Sequence, residues 1–316
     1  MNTSNISNFL DIGNNNKIIY NTNFLDYINN ESSVLYFSDN SNFIDKLYQL
    51  YISNHIKNLF IISNTYNFKS MKKDIIIRKI SKHTLRNITN NLIVIIDTIN
   101  DYNFAVKVVK NLILINQFSK ELDFKIGYNN NDINFTYCFT NNSFPYFKDI
   151  IDAIKCINIS DIKEKYEYIY DTVCNFLDAQ FIKNNFCDFK NDQCIANRLG
   201  QTSHSSMGCC YSFKYASFFD FRLIKDIKLC SYINCKSCST KCITCKLYTC
   251  KYLQKQNIKF DTHKILLLEC FFNKKQHLIL SSNFFTSKEE ILYKLLENNN
   301  DFYFWYYIMR KFYINK

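Results

Sequence analysis

Ten of the fourteen cysteines in this 316-residue chain fall between Cys187 and Cys250. They are Cys187, Cys194, Cys209, Cys210, Cys230, Cys235, Cys238, Cys242, Cys245 and Cys250. The centre of the stretch reads CKSC-STK-CITC, two C-x-x-C pairs three residues apart. A C-x-x-C pair lets two thiolates reach one ion from a tight turn, so the spacing points to a metal centre. Ten thiolates suffice for two centres, or for one cluster and one zinc. Cys209 and Cys210 are adjacent and their side chains diverge, so they serve different ions, or bridge two, more readily than they share one tetrahedron. His204, in SHSSMGCC, is a borderline additional ligand.

All-sulfur ligation accepts both zinc and iron–sulfur clusters. The ferredoxin run C-x2-C-x2-C-x3-C-P is absent: the order here is x2, x3, x2, and no proline follows. Zinc is therefore the expected cofactor and an iron–sulfur cluster the alternative. Cys238-x3-Cys242-x2-Cys245 also resembles the cluster motif of radical S-adenosylmethionine enzymes. Three departures argue against that chemistry. Thr244 stands where an aromatic usually precedes the last cysteine, only 71 residues follow Cys245, and no Gly-Gly-Glu-like segment is present. A broader resemblance runs through GCC at Gly208–Cys210, then Cys230-Ser-Tyr-Ile, then Cys245-x-Leu-Tyr-x-Cys250. This order is similar to that of bacterial cysteine-cluster metal-binding proteins, over about 45 residues, with their leading C-x-x-C replaced by Cys194. The resemblance implies a zinc or iron–sulfur site and names no substrate.

Positive charge gathers on the same stretch. From Cys210 to Lys264 there are eleven Lys/Arg against three Asp, a net of +8 within a chain of net +11. Two accounts fit. The lysines offset thiolate charge, about −2 for each zinc held by four cysteines. Alternatively they point outward to phosphates. On the second account Lys236, Lys241, Lys246, Lys251 and Lys255 track a backbone while Tyr248 and Tyr252 stack bases, as suits single-stranded nucleic acid or a structured RNA. On the first, zinc is a staple in a structural or interaction protein. A third class, an iron–sulfur redox or radical enzyme, rests on the cluster alternative alone.

The elements that must position this stretch begin upstream. Val34–Phe37, Leu59–Ile62, Ile75–Ile77 and Leu92–Ile96 read as buried strands. Phe43–Tyr51 and Phe104–Leu112 carry helical periodicity. Strands alternating with helices predict an α/β domain with a mostly parallel sheet. Leu92–Ile96 followed by Asp97 looks like the metal-binding strand of a P-loop ATPase, yet no G-x-x-x-x-G-K-[ST] and no dinucleotide fingerprint occurs. Asp39 and Asp97 are thus expected to cap helices, and the domain to be a scaffold. Short strands are expected at Phe124–Ile126 and Ile133–Phe139. Helices follow around Ile150–Ile154 and from Ile162 to Phe181, where Cys156 and Cys174 read as small buried hydrophobes. Lys264–Phe272 and His277–Phe285 read as a β-hairpin about Asn273-Lys-Lys-Gln, with Cys270 in its core and no catalytic role for Glu269 or Lys274. Ser287-x-x-Glu290 opens a last helix.

The expected organisation is an α/β domain at 1–158, a helix plus cysteine-rich metal-binding region at 159–263, and a small α+β piece at 264–316. The aromatic tail Phe302–Tyr313 is a candidate surface for a protein partner. No signal-peptide pattern and no apolar run of membrane-spanning length is visible, so the expected setting is cytoplasmic, without membrane contact. In that reducing setting clustered cysteines serve as metal ligands rather than as disulfides.

Overall fold

Five runs rich in Ile, Leu, Val, Phe and Tyr build a sheet that a sixth short strand extends. The structure is a computed structural model and describes residues 9–12, 16–20, 24–38, 43–63, 75, 77, 80–81, 91–126, 134–188, 190, 195–199, 233–234, 237–238, 242–249, 251–283 and 286–299. The chain divides into two compact units, Met1–Ser160 and Asp161–Lys316. The second unit holds both the cysteine-rich region and the residues after 263.

The first unit contains β1 (Phe9–Asp11), β2 (Lys17–Tyr20), β3 (Ser33–Ser38), α1 (Ile44–Ile52), β4 (Asn58–Ser63), β5 (Asn91–Ile96), α2 (Tyr102–Ile126), β6 (Asn134–Phe139) and α3 (Phe147–Asn158). The sheet order is β1-β2-β6-β5-β3-β4. Every pairing is parallel except β1 with β2. This is the mostly parallel α/β architecture that the strand–helix alternation predicts. The continuous apolar runs follow from burial on both faces. Val34, Tyr36, Ile61, Ile93 and Ile95 pack with Ile44 and Leu47 of α1. The alternate residues Leu35, Phe37, Val94, Ile96, Tyr137 and Phe139 are equally buried, and Phe139 meets Phe147 of α3 edge-on at 5.1 Å.

Several expectations are corrected here. Phe124–Ile126 is the end of α2, not a strand: no glycine or proline interrupts the helix before Gly127. Helix α1 has Phe43 at its N-cap with no side-chain cap bond, while residues 39–42, and with them Asp39, lie outside the described residues. Strands β1 and β2 have no long apolar run to mark them in advance. They are held by buried Asn16, whose Oδ1 accepts from the Phe135 N–H at 3.0 Å and whose Nδ2 donates to Asn158 Oδ1 at 2.8 Å. Of the expected Ile75–Ile77 strand, Ile75 and Ile77 bond Ile61 in sheet fashion, at 2.9 and 3.1 Å.

Asp97 lies at the carboxyl end of β5, beside the point where strand order reverses between β3 and β5, the usual ligand position in such sheets. It caps no helix. Asp101 does that for α2, accepting from the Phe104 N–H at 2.8 Å. The buried Asp97 carboxylate instead collects hydroxyls: Tyr36 OH at 2.9 Å, Ser38 Oγ at 3.1 Å, and Thr140 Oγ1. Burial pushes the Tyr36 phenol far above its ordinary range, so it stays protonated and donates. The carboxylate therefore ties the ends of β3 and β5 to the residue after β6.

The second unit contains α4 (Ile162–Asn184), α5 (Ile195–Arg198), the short pair β7 (Ile233–Asn234) and β8 (Ser237–Cys238), α6 (Ile243–Leu247), α7 (Lys251–Lys255), a 3-10 turn at Thr262–Lys264, α8 (Leu266–Phe271), α9 (Lys274–Ser282) and α10 (Lys288–Glu297). The expected hairpin at 264–285 is a pair of helices, α8 and α9. The physical reason is Asn273. Its side chain accepts from the Lys275 and Gln276 N–H groups, and Gln276 Oε1 returns to the Asn273 N–H at 2.9 Å. Asn273-Lys-Lys-Gln is thus a capping box and not a turn. Cys270 accordingly sits in α8, half-buried. Buried Gln276 also donates to Tyr166 OH at 2.8 Å and to the Leu295 carbonyl at 2.9 Å, linking α9 to α4 and α10. Ser287 caps α10 as the sequence predicts, accepting from the Glu290 N–H at 3.2 Å.

Asp97→Ala strands three hydroxyls in or beside the core and should lower unfolding free energy by about 3 kcal/mol in urea titrations. Asp101→Ala removes only a cap and should cost about 1 kcal/mol. Equal losses would contradict the hub assigned to Asp97.

Candidate metal centre

The best-defined cysteine pair is the second C-x-x-C. Cys242 stands at the N-cap of α6 in extended conformation, and Cys245 lies one turn on. A helix of five residues has no stability of its own, so tertiary contacts must hold it. Ile243 is fully buried, and α6 packs against α4 and α9. The Ile243 N–H donates to Tyr170 OH of α4 at 3.1 Å. Lys246, also buried, places its ammonium 2.5 Å from the Asp178 carboxylate of α4. Cys242 Sγ lies 3.6 Å from the Asn283 carbonyl, just past α9.

This frame brings Cys242 Sγ within 3.3 Å of Cys245 Sγ, both side chains buried. Thr244, between them in sequence, has a buried hydroxyl with no hydrogen-bond partner among the described residues. Cys174 of α4 lies near enough to Cys242 for their charges to interact, but burial pushes its thiol up to about 11. It is a core residue, as its isolation in the sequence predicts. Cys138 and Cys156 are buried likewise, the former with its thiol pushed up to about 12 by burial.

The other expected ligands are placed unevenly. Cys238 lies on β8, paired across from Ile233 of β7. The half-buried Cys187 accepts from the Ile195 N–H at 2.8 Å through its carbonyl. Cys194, Cys209, Cys210, Cys230, Cys235 and Cys250 lie outside the described residues, as do His204 and the tail Phe302–Tyr313.

Of the residues expected to face nucleic acid, Lys246 is turned inward to Asp178. Tyr248 and Tyr252 are half-buried and Lys255 is exposed. Lys251 belongs to α7, its side chain lying outside the described residues together with Lys236 and Lys241.

Sequence reading gave no role to Glu269 and did not raise His263 or His277. In the structure the three meet, with one ligand atom from each within 4.8 Å of the others. Their spacing, H-x5-E-x7-H, matches no short metal motif, because the residues are gathered by the turn between α8 and α9. Burial, then the neighbouring His263, pushes His277 below the ordinary imidazole range, which keeps the ring neutral.

No protein-family model, curated protein or solved structure matches the chain. Among the described residues no helix is long and apolar enough to cross a membrane.

The thiol assignments have a direct chemical consequence. With iodoacetamide at pH 8, native Cys138 and Cys174 should label about 100-fold slower than a free cysteine, as read by mass spectrometry. Labelling at the free-cysteine rate would show that neither is core.

Proposed function

We propose that the second unit is a metal-binding module, with zinc as the ion, in which the metal staples the cysteine-rich segment to the helices around α4. The observation that carries this reading is the buried Cys242–Cys245 pair, 3.3 Å between sulfurs. Two thiolates on one tetrahedral zinc, with bonds of about 2.3 Å, stand about 3.8 Å apart. A small opening of the pair therefore accommodates the ion.

Cys238, on β8, and Cys235, three residues before it in sequence, complete a four-sulfur set in this proposal, and Cys187, Cys194, Cys209, Cys210, Cys230 and Cys250 supply a second centre. Bound zinc contributes charge neutralisation and cross-linking. This chain's residues position it: Tyr170 holds the start of α6 and Asp178 anchors its end through Lys246. A structural zinc of this kind contributes folding free energy outright.

A second reading adds nucleic-acid contact, and the exposure of Lys255 and Lys259 favours it. In this reading Lys236, Lys241, Lys251 and Lys255 meet phosphates of single-stranded nucleic acid or RNA and Tyr252 supplies a stacking face. Lys246 is removed from the strip by its ion pair with Asp178.

Anaerobically purified protein should carry about one to two equivalents of zinc, and Cys242→Ser or Cys245→Ser should remove about one. A metal-free folded protein would overturn the module, and broad visible absorption with iron and sulfide would replace zinc by a cluster. For the second reading, Lys251→Gln with Lys255→Gln should weaken single-stranded RNA binding and flatten its salt slope by up to about 1.4, with metal content unchanged. Lys246→Gln should leave that slope alone. If the double change alters neither affinity nor slope, the staple stands without nucleic acid.

A further inference from the structure

We infer that His263, Glu269 and His277 form a second metal site, for a divalent first-row transition ion bound by two imidazoles and one carboxylate. It shares no residue with the cysteine centre and does not depend on it.

The site is built by local capping. The Asp261 side chain accepts from the His263 N–H at 3.0 Å and fixes the 3-10 turn that carries His263. Both α8 and α9 pack on that turn. Glu269 comes from α8, and its Oε2 lies 2.8 Å from His263 Nδ1. His277 comes from the first turn of α9, which the Asn273–Gln276 capping box orients. The two imidazoles lie face to face, with centroids 4.1 Å apart and an interplanar angle of 16°.

One atom in this arrangement points to a ligand. His277 is only 6% exposed, and its Nδ1 is buried with no hydrogen-bond partner among the described residues. Buried polar atoms are almost always satisfied, so an orphan asks for an explanation. His277 offers one ring nitrogen to a group of ligand atoms drawn together within 4.8 Å. The spread is wider than a bound ion requires, about 3.4 Å between neighbours for bonds near 2.1 Å. Binding closes it by turning the stacked rings so that their in-plane lone pairs converge on the ion. The ion then takes the place of the hydrogen between His263 Nδ1 and Glu269 Oε2, and the neutral imidazole carries its proton on Nε2 instead.

Exposure sets the character of the site. His277 lies at its buried end, whereas His263 retains 59% and Glu269 25% of side-chain exposure. The ion is thus held from below and open above, with a coordination position left to water or to an oxygen of a small ligand. Three protein ligands and one open position are the arrangement of reactive metal sites, in contrast to the closed four-sulfur staple.

The test adds Co2+ to the full-length protein as purified, with any cysteine centre already filled. One further equivalent should bind with weak visible bands and without the intense near-ultraviolet thiolate-to-cobalt band, and it should raise Tm. His263→Ala and Glu269→Gln, both at partly exposed positions, should fold with unchanged cobalt-free Tm. Each should weaken cobalt binding at least about tenfold, the low end of what even ligand-supporting residues contribute. Unchanged binding in both variants, or added cobalt bound only with thiolate bands, would overturn the site. Loss of the cysteine centre alone, seen as zinc-free protein that still binds cobalt without thiolate bands, would leave it standing.

Discussion

The second unit depends on one constraint: a five-residue helix carrying two cysteines has to be held from outside. Helix α6 cannot pay its own nucleation cost, and three contacts supply what it lacks. Tyr170 accepts its first backbone N–H, Asp178 takes the charge of Lys246, and Ile243 fills the space against α4 and α9. The consequence is chemical. The sulfurs of Cys242 and Cys245 are held 3.3 Å apart in a buried position, close to the separation that two thiolates sharing one ion adopt. On the proposed reading, helices that fold by ordinary apolar packing prepare half of a metal site before any metal arrives.

The first unit makes the opposite use of its most prominent polar group. An aspartate at the carboxyl end of a central strand is where α/β sheets hold ligands. Asp97 occupies that place with its oxygens directed to Tyr36, Ser38 and Thr140. A carboxylate so engaged acts as a stitch between strand ends. The chain also lacks the glycine-rich turn that would bring a phosphate there. Both proposed metal sites therefore belong to the second unit and differ in ligand character, one of sulfur around the buried Cys242–Cys245 pair and one of nitrogen and oxygen with two partly exposed ligands.

The parallel sheet was legible because buried strands write unbroken apolar runs, as in Val34–Phe37 and Leu92–Ile96. Strands β1 and β2 were not, since a short edge pair secured by Asn16 leaves no run of that kind. Between residues 264 and 285 short apolar segments fit strand and helix equally well. The deciding signal was Asn273 with Gln276, a cap that reads as a turn until its reciprocal bonds are seen. Charge misled for a related reason: Lys246 counts as one lysine of a basic strip, and only packing reveals Asp178 beneath it. The cysteine pair was visible as a motif. The His263–Glu269–His277 group was not, because its ligands converge through the 3-10 turn, α8 and α9 with no fixed motif spacing.

X-ray absorption at the metal edge of the protein as purified tests the central claim most directly. The account predicts zinc with a first shell dominated by sulfur at about 2.3 Å. With Cys242→Ser the sulfur contribution should fall and the zinc content drop. A first shell made only of nitrogen and oxygen, or protein that folds fully with no bound metal, would contradict it.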